Sequence, residues 1–187
     1  MKANRSSAGW VEDAKKRAAQ EAVKHIKNGQ VIGLGSGSTA AYAIQEIGKL
    51  IQRKKWHILA IPTSHQAFQL AVDWHIPLTT LDEHPKVDIT IDGADQIDPY
   101  LNMIKGMGGA LAREKIVASA SKQEIIIADE TKLVKELGVN HPVPVEVLPS
   151  ARVLVMAKIR EIGGKPVLRT GTGKVGPVVT DNGNFIL

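Results

Sequence analysis

Two aspartates, a lysine and a glutamate, Asp92, Asp95, Lys105 and Glu114, fall within one passage, TIDGADQIDPYLNMIKGMGGALAREK, residues 90–115. A glutamate near a lysine and two carboxylates, without nucleophile or metal-ligand spacing, fits removal of a proton next to a carbonyl. Glu114 could take the proton. Lys105, with backbone N–H groups of the turn from Gly106 to Gly109, could stabilise the enediolate oxygen that results. Asp92 or Asp95 could exchange protons with substrate hydroxyls. Paired carboxylates also suit glycoside hydrolysis, but that chemistry usually needs an aromatic-lined groove. This chain has only three Trp, two Tyr and two Phe. Asp-Gly and Asp-Pro as plain turn-formers remain an alternative for the aspartates taken singly.

These groups need elements to hold them. Val87, Ile89 and Ile91 alternate with Asp88 and Thr90, which predicts a strand ending at Asp92-Gly93. The carboxylates then stand at a strand's carboxyl end, where open α/β sheets bind ligands. A helix over 110–121 follows the glycines and carries Glu114 in its first turns. Upstream, residues 31–34 read as a buried strand and 40–51 as a helical stripe, with Ser36, Gly37, Ser38 and Thr39 between them. A glycine-rich turn entering a helix offers free N–H groups and a positive dipole end, the makings of a phosphate cradle. It is not a dinucleotide fingerprint, because Ser38 stands where the third glycine belongs and no acidic residue ends the next strand. Nor is it a P-loop, because no lysine precedes Ser38-Thr39.

Strands over 57–61, 76–81 and 124–128 alternate with helices over 11–27, 64–74 (capped by Thr63 or Ser64) and 131–138. This predicts an α/β fold with a doubly wound, mostly parallel, Rossmann-like sheet. HPVPVEVLP, from His141, marks a boundary. The expected organisation is a catalytic domain over 1–139 and a small α+β domain over 140–187, with a helix over 151–162, strands over 166–169 and 177–180, and a hairpin at Asn182-Gly183. A split βαβ unit would ask for a further helix and strand. The second domain is therefore expected to be incomplete, its C-terminus truncated.

The net charge of +5 suits an anionic partner, though many proteins are modestly basic. Basic residues are scattered and aromatics few, which disfavours nucleic acid. The chain has no cysteine, so disulfides and thiolate chemistry are excluded. His65 and His75 lack metal-ligand spacing, and no metal is expected. No signal peptide and no apolar run of about 18 residues is present. The expected location is cytoplasmic, with no membrane partner.

GLGSGST, DGAD and KGMGGALAREK, followed in order by IADETK, PVPVEV and VTDNGN, closely resemble the type A ribose-5-phosphate isomerases. The resemblance runs from about Lys15 to the last residue. It implies interconversion of ribose 5-phosphate and ribulose 5-phosphate through an enediolate, in the non-oxidative pentose phosphate pathway, with no metal or organic cofactor. By matching position it makes Glu114 the general base, Lys105 the oxyanion stabiliser, and Asp92 and Asp95 the groups for ring opening and hydroxyl protons. It assigns substrate binding to Ser36, Gly37, Ser38 and Thr39, to Gly93 and Ala94 with the two aspartates, and to Gly106, Met107 and Gly108 beside Lys105. Lys132 and Lys15 are assigned to the phosphate. It also implies a homodimer or homotetramer. Met107 replaces a usual glycine, predicting strain if that position needs a positive φ and crowding of the pocket. Gln96 replaces a usual glutamate, predicting one charge fewer beside the site. Family members continue past the VTDNGN hairpin. The alternatives are a non-catalytic sugar-phosphate-binding module and an inactive, truncated isomerase.

Overall fold

The computed structural model describes residues 7–187. The chain runs α1 (Ser7–Val23), β1 (Val31–Leu34), α2 (Ser38–Lys54), β2 (Leu59–Pro62), α3 (His65–Asp73), β3 (Ile89–Gly93), β4 (Gln96–Ile97) and β5 (Met103–Ile104). It continues through α4 (Leu111–Ser119), β6 (Glu124–Ile127), β7 (Glu146–Val147), α5 (Arg152–Glu161) and β8 (Phe185–Ile186). Four strands form a parallel sheet in the order β2-β1-β3-β6. Its order reverses around β1, so a crevice opens beyond the carboxyl ends of β1 and β3. This is the α/β sheet expected from the alternation of strands and helices. No helix among the described residues is long and apolar enough to cross a membrane.

The sheet is held by apolar side chains at the spacings the two element types demand. Ile32 and Leu34 of β1 are each 1% exposed, and Ile44 and Ile47 of α2 pack in the same core. Burying each such side chain is worth roughly 1.5–3 kcal/mol. Gly33 alternates with Ile32 and Leu34 and faces the other way, toward α4. A Cβ there would meet Thr90 and lie 2.7 Å from Val117 Cγ1. Only a glycine lets β1 and α4 approach this closely.

Several expected elements are shifted from their sequence patterns or shorter than them. The helix expected over 11–27 is α1, which starts and ends earlier, at Ser7 and Val23. The strand expected over 76–81 is reduced to a bridge between Ala60 and Leu78, because Pro77 has no N–H to donate to a ladder. In place of a helix over 131–138 there is one 3-10 turn, Glu130–Lys132. The N–H of Val134 turns outward to Ile97 O at 2.9 Å, which spends the bond a helix would have needed. The two strands expected over 166–180 survive as bridges, Thr170 with Pro177 and Val179 with Phe185. The Asn182-Gly183 turn forms as expected, with Gly183 N donating to Thr180 O at 2.9 Å.

Gly33→Ala is expected to destabilise the fold by about 1–3 kcal/mol, the usual cost of overpacking, as read from the urea midpoint. An unchanged midpoint would show that β1 and α4 can separate freely.

Candidate active site

Each strand of the sheet delivers one part of the site from its carboxyl end. β3 ends in Asp92, which is 1% exposed. Its Oδ1 accepts N–H bonds from Ser36 at 3.1 Å and Gly93 at 2.7 Å. Its Oδ2 accepts no directed hydrogen bond and faces the Lys105 ammonium at 3.1 Å. This packing needs Gly35 at the end of β1, because a Cβ there would fall on the Asp92 carboxylate.

Lys105 reaches Asp92 because β4 and β5 form an antiparallel hairpin, with Gln96 opposite Ile104 and Ile97 opposite Met103. The hairpin turn is tied by Asp98, whose carboxylate accepts bonds from Tyr100 N, Asn102 N and Asn102 Nδ2. After the hairpin, Lys105 donates to Gly93 O and stands 3.6 Å from Glu114 Oε2. Asp95 Oδ2 accepts the Met107 N–H at 2.9 Å, which fixes the glycine turn to the aspartate pair. Gly106 and Gly109 both adopt φ +90, so the turn needs glycine there.

Glu114 stands in the first turn of α4 and is 6% exposed. Its pKa is raised to about 7, first by burial and then by the charge of Asp92, with Lys105 opposing and Asp95 adding a smaller push. A carboxylate poised near neutrality can accept a proton and return it. Among the described residues no three His, Cys, Asp or Glu side chains converge to hold a metal ion.

A cleft of about 280 Å³ joins these groups to the cradle. Ser36, Gly37, Ser38 and Thr39 line it with Gly93, Ala94, both aspartates, Gly106, Gly108 and Glu114. α2 begins at Gly37 with no side-chain cap and no acidic residue in its first turn. Its free N–H groups thus face the cleft, as an anion site requires. Lys132 also lines the cleft. It is set there by Asp129 at the end of β6, which caps the 3-10 turn through Thr131 N at 3.0 Å.

Some assigned residues lie elsewhere. Lys15 is absent from the cleft wall and pairs with Glu12 at 2.8 Å. Glu12 also accepts the Tyr42 hydroxyl. Lys105 opens onto a neighbouring hollow, and Glu114 borders both spaces. Met107 does not have a positive φ, so the expected strain is absent. Its side chain is turned out of the cleft toward Arg169, whose Nη1 also donates to Met107 O at 2.7 Å. Gln96 is buried and binds Gly138 N and Val139 O at 2.9 and 3.2 Å. It ties the 138–139 segment to β4 and does not border the cleft.

The sequence alone did not reveal Ser64 and Gln66 after β2, or the 178–181 segment, as walls of the cleft. For Ser64 and Gln66 the signal was position: residues just past a parallel strand's carboxyl end belong to the ligand face. Arg113 holds the hairpin over the cleft, donating to Asn182 Oδ1 at 2.7 Å and Asp181 O at 2.8 Å. Asp181 Oδ2 in turn accepts His65 N at 2.7 Å.

A parallel α/β sheet that gathers a buried carboxyl base, an ammonium and an anion cradle at one end has the make-up of an enolising enzyme for phosphorylated substrates. The sequence model of the family described as Ribose 5-phosphate isomerase A (phosphoriboisomerase A) matches residues 59–187. Ribose-5-phosphate isomerase A of Methanocaldococcus jannaschii is 50% identical over 177 residues, covering 94% of this chain and 78% of its own. Its solved structure superposes with a TM-score of 0.90. The human ribose-5-phosphate isomerase is 46% identical over 186 residues, 97% of this chain and 60% of the human one. A D-ribose-5-phosphate isomerase solved in complex with phospho-erythronic acid is 46% identical, with a TM-score of 0.90 over 94% of this chain and 77% of that one. The chain belongs to the ribose 5-phosphate isomerase A family.

The Glu114 pKa gives a direct test. By carbon NMR of labelled glutamate, its carboxyl should titrate near pH 7 and move down in Asp92→Asn, which removes a charge that raises it. The sign for stability follows. A folded pKa above the unfolded value of 4.5 means the group's favourable contribution is complete below pH 4.5 and is lost as pH rises through 7. Glu114→Gln should therefore gain thermal stability relative to wild type at pH 8, and a clear loss there would contradict the burial argument.

Proposed function

We propose that the chain interconverts D-ribose 5-phosphate and D-ribulose 5-phosphate through an enediolate, within the non-oxidative pentose phosphate pathway of the cytoplasm. The observation that carries the reading is Glu114, buried between Asp92 and Lys105 with a pKa near 7, in a cleft that also holds the uncapped start of α2. Family membership supports it. So does the relative in complex with phospho-erythronic acid: a carboxylate on a phosphorylated polyol has the planar, anionic form of an enediolate.

The substrate phosphate sits on the free N–H groups of Ser38 and Thr39 at the start of α2 and beside Lys132. Asp92 and Asp95 move protons between the ring oxygen and the anomeric hydroxyl to open the sugar. Asp92 Oδ2 suits this because it is buried and has no directed bond of its own, so a substrate hydroxyl satisfies it. Glu114 then removes the C2 proton. The electron pair forms the C1–C2 double bond, and the C1 carbonyl oxygen becomes the anion. Lys105 and the N–H groups of the glycine turn stabilise that oxygen by fixed charge and dipoles. The O2 proton passes to O1, Glu114 returns its proton to C1, and the electron pair left on O2 closes the ketone at C2. Bonds and protons balance within the substrate, so no redox partner is needed.

Glu114→Gln is expected to fold and to bind substrate yet lose roughly 10²–10⁴-fold in turnover, the usual worth of a positioned general base. NMR of ribose 5-phosphate in D₂O reads both ketose formation and deuterium entry, at C1 of the ketose and at C2 of the ribose 5-phosphate re-formed from it. Turnover near the wild-type rate in the variant would refute the assignment.

A further inference from the structure

The end of β2 and the first turn of α3 form a wall of the cleft to which the reaction above gives no task. Thr63 and Ser64 lock the cradle from below: Ser36 Oγ bonds Thr63 Oγ1 at 2.8 Å and Ser64 Oγ at 2.6 Å, and Ser64 also caps α3 through Ala67 N at 3.0 Å. Gln66 differs from these two. It is exposed, it lines the cleft, and its Oε1 accepts the Gly37 N–H at 2.8 Å. Among the described residues its Nε2 has no hydrogen-bond partner.

Gly37 is the entry residue of α2, at φ +97, and a Cβ built on it would meet nothing within 4 Å. Its N–H thus adjoins open space in the cleft and is held by a neutral, rotatable carboxamide. A carboxamide offers both an acceptor and a donor from one terminal group. Turning it trades the Gly37 bond for an Nε2–H aimed at whatever anion takes the Gly37 N–H.

We infer that Gln66 is a phosphate-binding residue of this cleft, its carboxamide releasing the Gly37 N–H and donating Nε2–H to the same phosphate. The inference rests on the sugar-phosphate reading of the site. It gives the cradle a side-chain donor from α3 in addition to the backbone of α2 and the ammonium of Lys132. A neutral donor at this point adds affinity without fixing the anion so tightly that product cannot leave.

The test is calorimetric titration of inorganic phosphate into wild type, Gln66→Ala and Gln66→Glu, with kcat and KM for ribose 5-phosphate measured alongside. Loss of one hydrogen bond to a charged group should weaken phosphate binding roughly tenfold in Gln66→Ala. Gln66→Glu, which keeps the acceptor but loses the donor and adds a negative charge, should weaken it further. KM should rise in step while kcat changes little. If Gln66→Glu bound phosphate as well as wild type does, despite its added charge, the proposal would fall. It falls equally if Gln66→Ala binds phosphate unchanged or more tightly, or if wild type binds none. A wild type that binds phosphate but does not convert ribose 5-phosphate counts against the isomerase reading alone, since the titration needs no turnover.

Discussion

The structure depends on holding one carboxyl side chain, Asp92, almost wholly out of water. A buried ion is tolerated only when it is paired and hydrogen-bonded. Three separate parts of the chain meet that condition: the N–H groups of Ser36 and Gly93, and the ammonium of Lys105. Ser36 can approach only because Gly35 has no side chain. Lys105 can approach only because a two-rung hairpin folds the chain back on itself. The requirement set by one side chain therefore dictates a glycine just after β1, a reversal after β3 and a lysine just after β5.

The second part of the chain is fastened to the first through the same loops. Glu146 of β7 accepts hydrogen bonds from Thr180 Oγ1, Asn182 Nδ2 and Asn184 Nδ2 at 2.8, 3.0 and 2.9 Å. Burial alone would raise its pKa, but these bonds outweigh it and the pKa is lowered. The hairpin so organised is gripped by Arg113, the residue before Glu114. Arg169 grips the carbonyl of Met107, whose N–H is held by Asp95. Movement of the hairpin would therefore reach Glu114 through Arg113, and Asp95 through Arg169, whose carbonyl accepts the Val178 N–H, and Met107. This makes the 178–184 segment part of the site's framework as well as part of its wall.

Legibility in the sequence followed the range of the interaction. The strands β1 and β6 announce themselves by apolar runs and β3 by alternation, and the carboxylates fall at the end of β3 by simple counting. Ser64 as the cap of α3 was readable from local chemistry, and its side chain does accept Ala67 N. The β4–β5 hairpin was not readable, because two-residue strands leave no periodicity. Met107 and Gln96 were misjudged for a related reason. Which way the side chain faces follows contacts far along the chain, with Arg169, 62 positions away, in one case and with the 138–139 backbone in the other. The 131–138 stretch reads as a helix, but Val134 is claimed by Ile97 across the fold. Local preference loses wherever a distant partner takes the bond it relies on.

Glu114 shows why the site must work against the stability of its own fold. The start of a helix favours a carboxylate's charged form, as does Lys105, yet burial and Asp92 together win and lift the pKa to about 7. A glutamate left in water would be fully ionised at neutral pH but too weak a base to take a proton from carbon. Raising its pKa makes it a stronger base while leaving a usable fraction ionised. Lys105 sets the limit of that rise, because without its charge the same burial would keep Glu114 protonated and idle. The lysine is thus needed before any substrate arrives. It pairs with one carboxylate in the core and lets its neighbour sit at the edge of ionisation.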